Sequence, residues 1–121
     1  MNQITLFDRT GKPVAYIDYQ EDAAIYSFPG RPLAYINADM DVYTFHGKHL
    51  GWFEDGIVWD HRGRQVGFTE ETCPVLIHFE PFKGFQQFQP FRGFEQFPPF
   101  KPFKANVHSN IGLIDFLLGK T

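Results

Sequence analysis

Leu6-Phe7-Asp8-Arg9-Thr10-Gly11-Lys12-Pro13-Val14-Ala15-Tyr16 decides the fold, because the chain writes this stretch four times. Gly30, Gly47 and Gly63 repeat Gly11 at spacings of 19, 17 and 16 residues. A cation follows each glycine: Lys12, Arg31, Lys48 and Arg64. Two positions on stands an aliphatic (Val14, Leu33, Leu50, Val66), then a very small residue (Ala15, Ala34, Gly51, Gly67), then an aromatic (Tyr16, Tyr35, Trp52, Phe68). Upstream, each glycine is preceded at five, four and three residues by an aliphatic, an aromatic and a polar residue, as in Leu6, Phe7 and Asp8. A unit this short, rich in Tyr, Phe, Trp, Ile and Val and centred on glycine, is a β-hairpin. Pro13 and Pro32 follow the turns, where a missing N–H costs a ladder least.

Four hairpins give eight antiparallel strands over residues 4–69. Closure of so many short strands removes exposed edges. The expected architecture is all-β: a shallow eight-stranded barrel within residues 1–79. Two readings of the small column stand. It lines a constriction at the four-fold axis, with the aromatics filling the wider ring, or it sits under neighbouring rings.

The pattern aliphatic–aromatic–polar–x–x–Gly–(Lys/Arg)–x–(Val/Leu)–(Ala/Gly)–aromatic, four times over, resembles the four-fold β-flower proteins. The resemblance covers residues 4–69 and stops short of the Phe-rich segment. It implies a petal-like, symmetric barrel and carries no biochemical activity with it.

Length and composition narrow the rest. The 121 residues (14.1 kDa) suit one domain, and 15 Phe raise the aromatic share to 18%. A net charge of −3 argues against nucleic acid as a partner. The single cysteine, Cys73, excludes a disulfide framework and a cysteine-built metal site. No apolar run approaches the roughly 20 residues of a spanning helix, and no basic-then-apolar leader opens the chain. The expected location is cytoplasmic or peripheral to a membrane.

Charge is sorted along the repeat. Asp18, Glu21, Asp22, Asp39, Asp41, Glu54, Asp55, Glu70 and Glu71 lie in the connectors, whereas the cations of residues 1–79 lie in the hairpin turns. Turn charges serve solubility. If the tips converge, Lys12, Arg31, Lys48 and Arg64 form a site for an anion, a headgroup or an acidic partner.

At residue 79 the composition changes. Phe79, Phe82, Phe85, Phe88, Phe91, Phe94, Phe97, Phe100 and Phe103 recur every three residues, on a nine-residue unit that begins at Pro81, Pro90 and Pro99. Prolines and glycines oppose a helix, and a strand would alternate the rings between faces. Three residues per turn put every Phe on one edge. At about 3.1 Å per residue, Phe79 to Phe103 spans on the order of 75 Å, against a barrel only about 30 Å across. The segment of residues 80–104 must therefore bend, stay mobile or bind elsewhere. Three readings compete: it wraps the barrel, it is a disordered partner-binding or self-associating segment, or it enters a membrane interface with Phe82, Phe85, Phe88, Phe91, Phe94, Phe97, Phe100 and Phe103, aided by Lys83, Arg92, Lys101 and Lys104. Within residues 105–121, Ser109 to Gly119 reads as a helix of about two and a half turns, capped by Ser109 or Asn110.

No catalytic site emerges. His46 and His49 bracket one turn, but the same columns hold Pro29 and Pro32 in the second unit, so a metal pair is not expected. There is no phosphate loop or dinucleotide fingerprint. No cofactor is called for. The expectation is a non-enzymatic binding or scaffolding module, with peripheral lipid binding through the basic tips and the Phe segment as the alternative.

Overall fold

The computed structural model describes residues 2–120. Eight antiparallel strands follow one another around a closed barrel: β1 (Gln3–Phe7), β2 (Pro13–Asp18), β3 (Ala24–Ser27), β4 (Pro32–Ile36), β5 (Asp41–Thr44), β6 (His49–Glu54), β7 (Ile57–Trp59) and β8 (Gln65–Phe68). Each strand pairs with the next, and Phe7 opposite Phe68 closes the ring. The all-β barrel of four hairpins is therefore the fold.

The turn residues act as their chemistry predicts. Asp8 Oδ1 accepts the N–H groups of Thr10 and Lys12 at 2.9 and 3.1 Å. Ser27, Thr44 and Asp60 accept from Arg31, Lys48 and Arg64 in the same way. These side chains satisfy backbone donors that the turn leaves unpaired.

The small column sits beside a bulge. Leu6 pairs with Ala15 but Phe7 pairs with Pro13, so Val14 is an extra residue. The same slip skips Leu33, Leu50 and Val66 in the other hairpins. A bulge sets two residues against one, and so the aliphatic and its small neighbour both turn inward. Leu33, Ala34, Leu50 and Val66 join Leu6, Ile17, Ile25 and Val58 in the inner core. The aromatics do not fill the ring. Tyr16, Tyr26, Tyr35 and Tyr43 face outward and form a second buried layer with Phe28 and Phe45.

The C-terminal helix α1 (Leu113–Leu117) is shorter than the sequence suggests. Ser109 is held instead in extended backbone: its N–H donates to the Gln65 carbonyl, the Gln65 N–H donates to the Val107 carbonyl, and the Ser109 hydroxyl accepts from Ile111. That local side-chain bond competes with helix, and Gly112 becomes the N-cap. Leu113, Phe116 and Leu117 enter the inner core and close the barrel at the hairpin end. A Cβ on Gly67 would stand 2.9 Å from Leu113, and one on Gly51 3.2 Å from the Phe116 ring. Gly51 and Gly67 make room for this plug.

Candidate functional site

The Phe segment is a belt. It curves around the outside of the barrel and touches each hairpin in turn, nine residues per step. The N–H groups of His78, Gln87, Gln96 and Ala105 donate to the carbonyls of Gly11, Gly30, Gly47 and Gly63, each at 2.9 Å. Between these clamps Gly84 and Gly93 donate to Phe28 and Phe45 at 2.7 and 2.8 Å. The approach is close. With φ of +110° and +93°, Gly30 and Gly47 would each place a Cβ 1.9 Å from the carbonyl oxygen of Phe85 or Phe94. The length mismatch resolves itself. A body about 30 Å across has a perimeter on the order of 94 Å, so a 75 Å segment covers the three quarters from the first hairpin to the fourth.

The polar positions of the unit meet the barrel in register. Lys83 lies over the ring of Tyr16 at 4.8 Å, Arg92 over Tyr35 at 3.9 Å, and Lys101 over Trp52 at 5.9 Å. These rings are one column of the hairpin repeat, met by one column of the tail repeat, and the contacts are cation–π. Gln86 donates to Asp18 at 2.8 Å and to the Tyr16 hydroxyl at 3.3 Å. One unit on, the Tyr35 hydroxyl donates to Glu95 at 2.8 Å.

Charge holds the connector side. Glu54 pairs with Lys101 and, at 2.8 Å, with Lys104, which also reaches Asp55 at 3.0 Å. The Arg92 guanidinium donates to the Asp22 carbonyl at 2.9 Å. Hydrogen bonds from Lys101 and Lys104 hold the Glu54 carboxyl below its ordinary range. Burial opposes ionisation of Asp18, but bonds from Gln86 and Gln3 outweigh it and lower its pKa. Burial and Glu95 push Tyr35 up. The acidic connectors thus face the basic tail.

The outward positions are the nine Phe, each between 96% and 101% exposed. They fall into three sets between the clamps: Phe79, Phe82, Phe85; Phe88, Phe91, Phe94; and Phe97, Phe100, Phe103.

The tip cations are not equivalent. Lys12 and Arg31 are exposed. Lys48 donates to the Gly119 carbonyl at 2.8 Å, and Arg64 pairs with Asp60 at 3.0 Å. The end of the barrel that they surround holds α1 and the residues leading to it, which line its clefts with Asp8, Lys12 and Val66.

The third hairpin hides a polar chain that repeat logic missed. His46 is exposed, whereas His49 is buried. His49 Nε2 lies 3.0 Å from Asp41, and His49 Nδ1 lies 2.8 Å from Nε2 of His61. Asp41 only accepts, so the Nε2 proton sits on His49 and Nδ1 faces the second imidazole. The rings are 11° from parallel with centroids 5.1 Å apart, an N–H···N bond. Two nitrogens on a tetrahedral zinc would stand about 3.3 Å apart, so the pair is bonded rather than poised for an ion. Among the described residues no three His, Cys, Asp or Glu side chains are placed to hold a metal. His49 breaks the Pro13 and Pro32 column, and that break was the available signal. Where the first two hairpins have no N–H, the His49 N–H donates to Gln96 at 2.9 Å and the Gln65 N–H to Val107.

Cys73 is half-buried, its Sγ 3.6 Å from the Asp8 carbonyl. Among the described residues no helix is long and apolar enough to cross a membrane.

No curated protein and no solved structure matches the chain. A family model does, and its match runs beyond the hairpins through the belt and into α1. Over residues 4–117 the chain fits the model described as 4-fold beta flower protein, and it belongs to that family.

Proposed function

We propose that the protein is a non-enzymatic scaffolding module whose working surface is the Phe belt. The observation that carries this reading is the pairing of full exposure with fixed placement. Nine rings at roughly 200 Å² each put on the order of 1,800 Å² of apolar surface in water, several times the largest apolar patch of an ordinary monomer. The backbone beneath them is pinned at every ninth residue, so the rings are already ordered before a partner arrives. Such preorganisation lowers the cost of association. A lipid-binding role draws less support, because Lys83, Arg92, Lys101 and Lys104 are occupied by rings, acids and carbonyls of their own chain.

The test is association measured two ways: light scattering of the protein alone, and flotation with phosphatidylcholine vesicles with and without phosphatidylserine. Wild type is expected to associate in at least one, and Phe82→Ser, Phe91→Ser and Phe100→Ser together to weaken it. A wild type that stays monomeric and leaves every vesicle unbound overturns the reading.

A further inference from the structure

We infer that the belt's partner is a second copy of this chain, joined side to side, and that the joining continues from copy to copy in the plane of the belt. The inference rests on the belt being the working surface and names what covers it.

Geometry selects the occupant. The rings point outward around about three quarters of a convex body. A flat bilayer or one globular partner touches one side of such a body and leaves the other rings in water. Only neighbours on several sides cover them all, and copies of the chain bring the matching surface with them.

The repeat supplies equivalent sides. The three sets of Phe between successive clamps each span one hairpin-to-hairpin step. Three rings from each of two copies bury about 1,200 Å² in total, the low end of a specific interface. One pairing therefore suffices for contact and leaves two more sides open, so assembly does not stop at a closed dimer. The fourth side, between the fourth and first hairpins, carries Glu70 and Glu71 and then the exposed Val75, Leu76 and Ile77, with no Phe before Phe79. It has no Phe triplet between clamps, and its acids set it apart from the other three sides.

Charge agrees. Lys83, Lys101 and Lys104 are paired within the copy with Glu80, Glu54 and Asp55, and Arg92 is held by the Asp22 carbonyl and the Tyr35 ring, so the tail cations are engaged within their own copy where two belts meet.

Sedimentation velocity of the full chain across a wide concentration range tests this, beside vesicle flotation. Wild type should grow with concentration past dimer. Phe88→Ser, Phe91→Ser and Phe94→Ser together should shorten the species formed, and Ser at all nine positions should give monomer only. These rings are solvent-exposed, so thermal melts should be unchanged and show that the variants fold. Growth that stops at dimer, or a monomer that floats with vesicles, overturns the inference while leaving the belt as the working surface. A monomer that binds no vesicle overturns both.

Discussion

Gly47 and Gln96 fasten the belt to the third hairpin: the Gln96 N–H donates to the Gly47 carbonyl at 2.9 Å, and Gly47 sits at φ +93° with no room for a Cβ beside Phe94. Forty-nine positions of sequence separate them, and the same bond recurs nine residues earlier in the tail, between Gln87 and Gly30.

Gly47→Ala should loosen this clamp. A left-handed backbone costs an L-residue about 1–2 kcal/mol, and a lost hydrogen bond about 0.5–1.5 more. The expected loss is about 2–3 kcal/mol in thermal melting, with faster amide exchange at Gln96. Gly112→Ala is the control, since a Cβ there meets nothing within 4 Å. Equal melts for the two variants would remove the clamp from the stability of the fold.

The two glycines of the small column should respond differently. A Cβ on Gly51 would lie 1.9 Å from the Trp59 carbonyl oxygen, which is backbone in the adjacent strand. On Gly67 it would meet only the ends of the Leu113 side chain, at 2.9 Å. Leu113 can rotate and the Trp59 carbonyl cannot, so Gly51→Ala should destabilise more than Gly67→Ala. Gly67→Leu should cost at least about 1–3 kcal/mol, as overpacking does, because it drives α1 from its seat. A stable Gly51→Ala with unchanged unfolding would contradict the close strand approach.

The hairpins were legible because their chemistry is local. Glycine at a positive-φ turn, a polar acceptor three residues before it and the strand pattern all lie within one short unit. The bulge was not, since an extra residue leaves the column order intact and shows only in the pairing of Leu6 with Ala15 and Phe7 with Pro13. The tail's inward face was hidden by distance: Gln86 meets Asp18 across 68 residues. Its period nonetheless held the clue, for a nine-residue unit repeats in step with the hairpins. The repeat pattern makes His49 one more residue that a turn column tolerates, whereas the departure marks the chain that runs from buried Asp41 and His49 out to His61.

That chain should make stability fall on acidification. Burial, then the neighbouring His49, with Lys48 also acting, lowers the His61 pKa below its ordinary 6.5, and Asp60 opposes. The unfolded chain therefore takes up its proton first. The contribution is complete above pH 6.5 and is lost as pH falls from there through the folded-state value. Melting temperature should drop between pH 7.5 and 5.5, and His61→Gln should flatten the drop. An unchanged slope in that variant would show that His61 does not carry it.

The last prediction separates the belt's spacing from its composition. Inserting one Ala after Phe91 moves Arg92 into the place of Gly93, where a Cβ stands 2.7 Å from the His46 carbonyl oxygen. It takes the guanidinium off the Tyr35 ring, where it now lies at 3.9 Å. At three residues per turn, every later Phe rotates by about 120°, so Phe94, Phe97, Phe100 and Phe103 leave the outward edge. Phe91→Leu changes only an exposed side chain, and should alter stability by no more than about 0.5 kcal/mol. The insertion should therefore lower the melting temperature, speed exchange at Gln96 and Ala105, and abolish concentration-dependent growth, while the substitution does little to any of the three. If the two variants behave alike in melting, exchange and sedimentation, the three-residue period has no mechanical role and the clamps alone hold the belt.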